Sequence, residues 1–286
     1  MPVLGAHMSI AGGCHLAVER ARDRGCDCVQ IFTKNSNQWR AKKITQAQVD
    51  QFRQALEQSG IRHAMAHDSY LINLASPDRN LWRRSVRAMA DELRRADLLG
   101  IPHVVTHPGA YTTGTEPAGL RRIARAIDEV HQQVGDIRVR CLLETTAGQG
   151  TSIGWRFEQL AAIIDAVAEP DRLGICFDTC HVFAAGYAMG TKKDYNATMR
   201  ELNKTVGLKR IKAFHLNDSR RECGSRVDRH APIGRGEMGL EPFRFLLNDR
   251  RFRKVPMVLE TPKGEEDGVD CDVINLKALR GLIDSA

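Results

Sequence analysis

Six times along this chain a short apolar run stops at a histidine or an acid. Residues 61–66 lead to His67, 102–106 to His107, 139–143 to Glu144, 173–177 to Asp178, 211–214 to His215 and 256–259 to Glu260. Each run has strand length and lacks polar alternation, as expected of strands buried on both faces. Two further runs, 3–6 and 28–32, precede them. Helical periodicity separates all eight, over 16–24, 45–59, 81–99, 118–134, 156–167, 197–206, 241–247 and 273–283. Thr45 is placed to cap the second helix, and Gly60 and Gly100 to stop the second and third. With no linker or low-complexity tract, the expected fold class is α/β: a (β/α)8 TIM barrel forming a single domain over 1–286. A doubly wound open sheet is the alternative for the same alternation.

A barrel gives the six strand-end residues a common address. Strand C-termini converge on one mouth, so residues almost 200 positions apart point at one another. Six donors exceed the shell of one zinc ion, which takes four ligands and in catalysis keeps a position open for water. A carboxylate such as Glu144 or Glu260 can bridge two ions. His181, three residues after Asp178, and the pair Asp228 and His230 form a further group. Side chains two apart in an extended loop face the same side. Their distance in sequence from the first six suggests a third ion. Five histidines mixed with carboxylates favour zinc, and manganese or iron(II) also suits such donors.

Composition narrows the setting. The net charge of +7 fits an anionic partner. No window is long and apolar enough to span a membrane, and the start lacks a leader pattern. The eight cysteines are scattered, which reads as free thiols in a reducing, cytoplasmic setting rather than a disulfide frame. Cys176 and Cys180 flank Asp178 but lack a second pair, and are expected to be small buried residues.

Three ordered stretches resemble the signatures of the endonuclease IV family of abasic-site nucleases. They are His67-Asp68-Ser69-Tyr70-Leu71-Ile72-Asn73, the run from Cys176 through Asp178 and His181 to Tyr187, and His215-Leu216-Asn217-Asp218 through Gly224-Ser225-Arg226-Val227-Asp228-Arg229-His230. Glu144 to Gly150 and Phe32-Thr33-Lys34-Asn35 with Gln38-Trp39-Arg40 match as well. The resemblance implies a TIM barrel with three zinc ions that incises duplex DNA on the 5′ side of abasic sites. His67 and His107 would hold the first ion, with Glu144 bridging to the second. Asp178, His215 and Glu260 would complete the second, and His181, Asp228 and His230 the third. Glu144, Asp178 and Glu260 are accordingly the expected catalytic carboxylates. A water activated between two ions would attack phosphorus in line, so no Ser or Cys nucleophile is required. The products would be a 3′-hydroxyl and a 5′-deoxyribose phosphate, and 3′ blocking groups would be further substrates. Asn37 and Arg235 depart from the family pattern: some members have arginine at the first position, and an acidic residue is common at the second.

DNA contacts are expected from Tyr70, from Asn35, Asn37, Gln38 and Trp39 in the loop after the second strand, and from Arg226 and Arg229. Extruding a nucleotide that lacks its base costs less than flipping a paired one, and Tyr70 could fill the stack. The arginines flank Asp228, where phosphates would pass. Gly234-x-Gly236-x-x-Gly239 has the letters of a dinucleotide fingerprint but follows no strand, and is read as a turn. His7 is expected to line the mouth, and Asp68 and Asp218 to orient His67 and His215. The chain is expected to act as a monomer. The rivals are a sugar isomerase or epimerase on the same barrel and a non-catalytic DNA-binding protein.

Overall fold

The computed structural model describes residues 1–284. Eight parallel strands close into a barrel: β1 (Val3–Met8), β2 (Cys28–Phe32), β3 (His63–His67), β4 (His103–Thr106), β5 (Arg140–Glu144), β6 (Leu173–Asp178), β7 (Ile211–Leu216) and β8 (Pro256–Leu259). Each strand pairs with its neighbour in sequence, and β8 closes onto β1 through Val3↔Pro256 to Ala6↔Leu259. The open-sheet alternative is thereby excluded.

Nine helices are seen among the described residues: α1 (Cys14–Asp23), α2 (Gln46–Ser59), α3 (Arg79–Leu99), α4 (Glu116–Val134), α5 (Phe157–Ala166), α6 (Thr179–Ala184), α7 (Lys192–Thr205), α8 (Glu241–Leu247) and α9 (Cys271–Arg280). Thr45 caps α2 in a capping box with Gln48, and Gly60 and Gly100 end α2 and α3 in left-handed conformations. α6 has no counterpart in the periodicity. It is a fully buried six-residue helix, so no polar face marks it. α7 starts earlier than the apolar spacing suggests, because Thr191 accepts a hydrogen bond from the Asp194 N–H at 3.2 Å.

A small inner layer, including Met65, Val105, Leu142, Cys176, Ala213 and Val258, fills the barrel below its mouth. The larger core packs helices onto the outside of the strands. Three two-stranded antiparallel ribbons decorate the loops, of which Asp218–Ser219 with His230–Ala231 matters most. It folds the segment after β7 back on itself, so that His230 returns to the strand end that carries His215.

Candidate metal centre

The strand ends sit slightly differently from the sequence reading. His67, Glu144 and Asp178 are the last residues of β3, β5 and β6 rather than lying beyond them, and His215 lies inside β7. Only His107 and Glu260 follow their strands. The ladder runs on through these residues, in the registers Phe32↔His67, Glu144↔Cys176 and Asp178↔His215. Their side chains are therefore held by regular sheet, not by loops.

Four groups of donors result among the described residues, three of them without cysteine. His67, His107 and Glu144 form one, Glu144, Asp178, His215 and Glu260 another, and Asp178, His181 and His230 a third, each within 4.8 Å. Glu144 joins the first two. Its Oε2 lies 3.2 Å from Nε2 of both His67 and His107, and its Oε1 2.9 Å from His215 Nδ1. Asp228 reaches in from the loop, with His181 Nε2 at 3.1 Å and His230 Nε2 at 3.3 Å. Cys180 also approaches Asp228 and His230, and burial pushes its thiol up to about 12.

The charges shape one another. Burial alone would raise the Glu144 carboxyl, but His215 and His107 outweigh it and hold it well below the usual range. Burial pulls His67 down, and the bond to Glu144 reverses this and pushes it up to about 9. Burial would raise Asp228, but His181 brings it down to about 2. A pocket that prefers ionised carboxylates and positive charge beside them is one that attracts cations.

The hydrogen bonding tests whether metal ions fit. His67 Nδ1 bonds to the Asp68 carbonyl at 2.9 Å, His181 Nδ1 to the Thr145 carbonyl at 2.8 Å and His230 Nδ1 to the Glu260 carbonyl at 3.1 Å. A carbonyl only accepts, so each Nδ1 carries a hydrogen and each Nε2 is the nitrogen left for a proton or a metal ion. Those Nε2 atoms face carboxylate oxygens. Nε2 of His181 and of His230 are buried without a hydrogen-bond partner. Each such pair needs a proton or a metal ion between its nitrogen and oxygen, and imidazole with carboxylate is the donor set of zinc, manganese and iron(II).

Supporting residues complete the centre. Asp178 Oδ1 caps α6 by accepting the His181 N–H at 2.8 Å, and its Oδ2 accepts Asn217 Nδ2–H at 2.6 Å. The Asn217 Oδ1 accepts the Glu260 N–H at 3.0 Å. Asp68 lies beside His67 as expected, with 3.4 Å between Oδ1 and Nδ1. Asp218 does not touch His215. It accepts the backbone N–H groups of Ser219, Gly236 and Met238, and holds the turn through Gly236, whose Cα lies too close to the Ser219 carbonyl to carry a Cβ. The partner of His215 is Gln30, whose Oε1 lies 2.8 Å from Nε2. Gln30 and Asn217 were missed because an uncharged amide does not stand out as a metal donor. A lone glutamine inside the run 28–32 was the available signal.

A cavity of about 220 Å³ opens above the donors, lined by Tyr70, His107, Gly148, Gln149, His181 and Asp228 among others. Tyr70 stands at its rim, 64% exposed, with its ring 5.3 Å from Phe32 and 6.0 Å from His67. A larger concavity of about 570 Å³ lies to the side, lined by Asn35, Gln38, Lys34, Arg40, Lys42 and Lys43 among others. It contains none of the donors, so chemistry and size point to different places. Asn37 is exposed, its N–H bonded to Asn35 Oδ1. Trp39 is half-buried and packs towards α3, with the Arg84 guanidinium 4.2 Å above its ring. Arg226 lies 4.1 Å over the Trp155 ring, and its Nε–H bonds to the Gly148 carbonyl at 3.2 Å. Arg229 is exposed and donates to the Asp228 carbonyl. Arg235 pairs with Glu266, away from the donors.

Residues 18–279 match the family described as xylose isomerase-like TIM barrel. A protein of Geobacter sp. (strain M21) named probable endonuclease 4 is 49% identical over 284 residues, covering 99% of this chain and all of that one. The chain belongs to the endonuclease IV family. A probable endonuclease 4 of Chloroflexus aurantiacus is 50% identical over the full length of both chains. The crystal structure of endonuclease IV from Thermus thermophilus superposes with a TM-score of 0.86 at 38% identity, covering 98% of each chain. This endonuclease IV-type enzyme also shares its fold, at 17% identity and a TM-score of 0.70, with a D-tagatose 3-epimerase-like protein.

Proposed function

We propose that the protein is a zinc-dependent endonuclease of base excision repair. It hydrolyses the phosphodiester 5′ to abasic sites in duplex DNA, leaves a 3′-hydroxyl and a 5′-deoxyribose phosphate, and removes 3′ blocking groups. The observation that carries this reading is the set of nine donors, His67, His107, Glu144, Asp178, His181, His215, Asp228, His230 and Glu260, gathered at one barrel mouth. A sugar epimerase on this barrel has no use for so many donors. The likeness to the epimerase-like protein concerns the fold alone.

Divalent ions held there would neutralise a phosphodiester and lower the pKa of a water molecule. The chain's own residues do the rest. Glu144, buried and ionised, holds two groups of donors at a fixed spacing. Asp178 ties its own donor group to α6, and Glu260 completes the second group. Tyr70 fills the space left by the missing base. Arg226, laid flat on Trp155, and Arg229 contact phosphates, while Asn35, Asn37, Gln38 and Trp39 meet the strand beside the lesion. One domain and one copy of the chain suffice, and the reaction belongs in the cytoplasm. No helix among the described residues is long and apolar enough to cross a membrane.

Incubation with a duplex carrying one tetrahydrofuran site, with and without chelator, tests the proposal. Single-strand incision abolished by chelation and restored by zinc is expected. Incision that survives complete metal removal would overturn it.

A further inference from the structure

Three of the buried imidazoles are oriented by backbone carbonyls, which no substitution removes. His215 differs. Its Nε2 lies 2.8 Å from Gln30 Oε1, and no carbonyl takes that place. Gln30 is fully buried, and its amide is used completely: Nε2 donates to Glu260 Oε1 at 2.6 Å and to His7 Nδ1 at 2.9 Å. The carboxylate fixes which end of the amide is which. A flipped amide would set its oxygen 2.6 Å from a carboxylate oxygen, with no hydrogen between them.

We infer that Gln30 is the positioning residue that selects the tautomer of His215 and the free oxygen of Glu260. Because Gln30 Oε1 only accepts, His215 carries its hydrogen on Nε2 and presents Nδ1 to Glu144 Oε1 at 2.9 Å and Glu260 Oε2 at 3.2 Å. Every other ring oriented in this centre presents Nε2. His215 is thus expected to ligate through the nitrogen nearer its own backbone, which suits a residue set inside β7 rather than past its end. Gln30 occupies Glu260 Oε1, which leaves Oε2 as the ligating oxygen. Without Gln30, His215 is free to carry its hydrogen on Nδ1, which removes the lone pair from the cluster.

The inference rests on the metal-centre reading, and its tests separate the two. Imidazole 15N spectra of the zinc-loaded protein should show His215 ligated through Nδ1 with hydrogen on Nε2. Ligation through Nε2 would overturn the inference while leaving the metal reading intact, and a protein that binds no zinc would sink both. Gln30→Met keeps the volume and removes the amide. Chelator competition should show one class of zinc weakened by roughly 10- to 100-fold, with the other classes unchanged, as is typical when a group that orients a ligand is lost. Gln30→Glu should restore the bond to His215 but confront Glu260 with a second carboxylate, so it should recover the 15N signature without full affinity. Unchanged affinity and signature in Gln30→Met would overturn the role, and the wild-type spectrum decides the tautomer even if that variant fails to fold.

Discussion

Glu144 Oε1 and His215 Nδ1 meet at 2.9 Å although β5 and β7 are not neighbours, because both side chains turn inward over β6. The contact spans the mouth and makes Glu144 the hub of the centre. Replacing it with glutamine preserves shape but removes the charge that faces four imidazoles, those of His67, His107, His181 and His215. Glu144→Gln should lose at least one metal per chain by elemental analysis and lower incision by on the order of 100-fold or more. Full metal content with wild-type incision would contradict its place in the cluster.

Metal removal should give stability an unusual pH dependence. In the stripped protein His67 is raised from 6.5 to about 9, against the pull of burial, by Glu144. A group raised in the folded state stabilises below its unfolded pKa, and that contribution is lost as pH rises through the folded value. The melting temperature of stripped protein should therefore fall between pH 6.5 and about 9. Zinc binding displaces protons, so the increment from added zinc should grow over the same window. A stripped protein whose melting temperature rises there would refute the assignment.

Tyr70 is exposed at the rim and contributes little to packing. Tyr70→Ala should leave metal content and melting temperature almost unchanged and weaken abasic-duplex binding by about 1–3 kcal/mol, the usual worth of an aromatic stacked on a base. Titration of a fluorescent abasic duplex, run beside an undamaged one, measures this. Equal binding by variant and wild type would remove Tyr70 from the interface.

Arg226 adopts a left-handed backbone, with φ of +55°, while its guanidinium lies on Trp155. That arrangement presents a fixed charge beside Asp228. Arg226→Ala should weaken binding to damaged and undamaged duplex alike and reduce the magnitude of the salt-dependence slope by about one. A slope identical to wild type would mean that the arginine serves the loop and not a phosphate.

Much of this could be read from residues. The eight strands were legible because parallel barrel strands are apolar on both faces, and six of the donors because each stands at the mouth end of an apolar run. The boundaries shifted at His67, Glu144, Asp178 and His215, since ladder pairing continues through polar residues that face the barrel interior. α6 stayed hidden because a short buried helix has no amphipathic period. Gln30 and the contact of Arg226 with Trp155 stayed hidden for a different reason. Both are tertiary pairings between distant segments, and nothing in either segment names its partner. Asp218 was assigned to His215 on adjacency alone, whereas the register of the ribbon turns it towards Gly236 and Met238.

The carbonyls that orient the imidazoles have a last consequence. His181, on α6, leans on Thr145 after β5, and His230, after β7, leans on Glu260 after β8. The rings are aimed by main chain belonging to other βα units, and the last of these is the unit that seals the cylinder against β1. Chain lacking that final unit would own most of the donors and still point His230 wrongly. High-affinity metal uptake should therefore come late in folding and report that the final seam has closed.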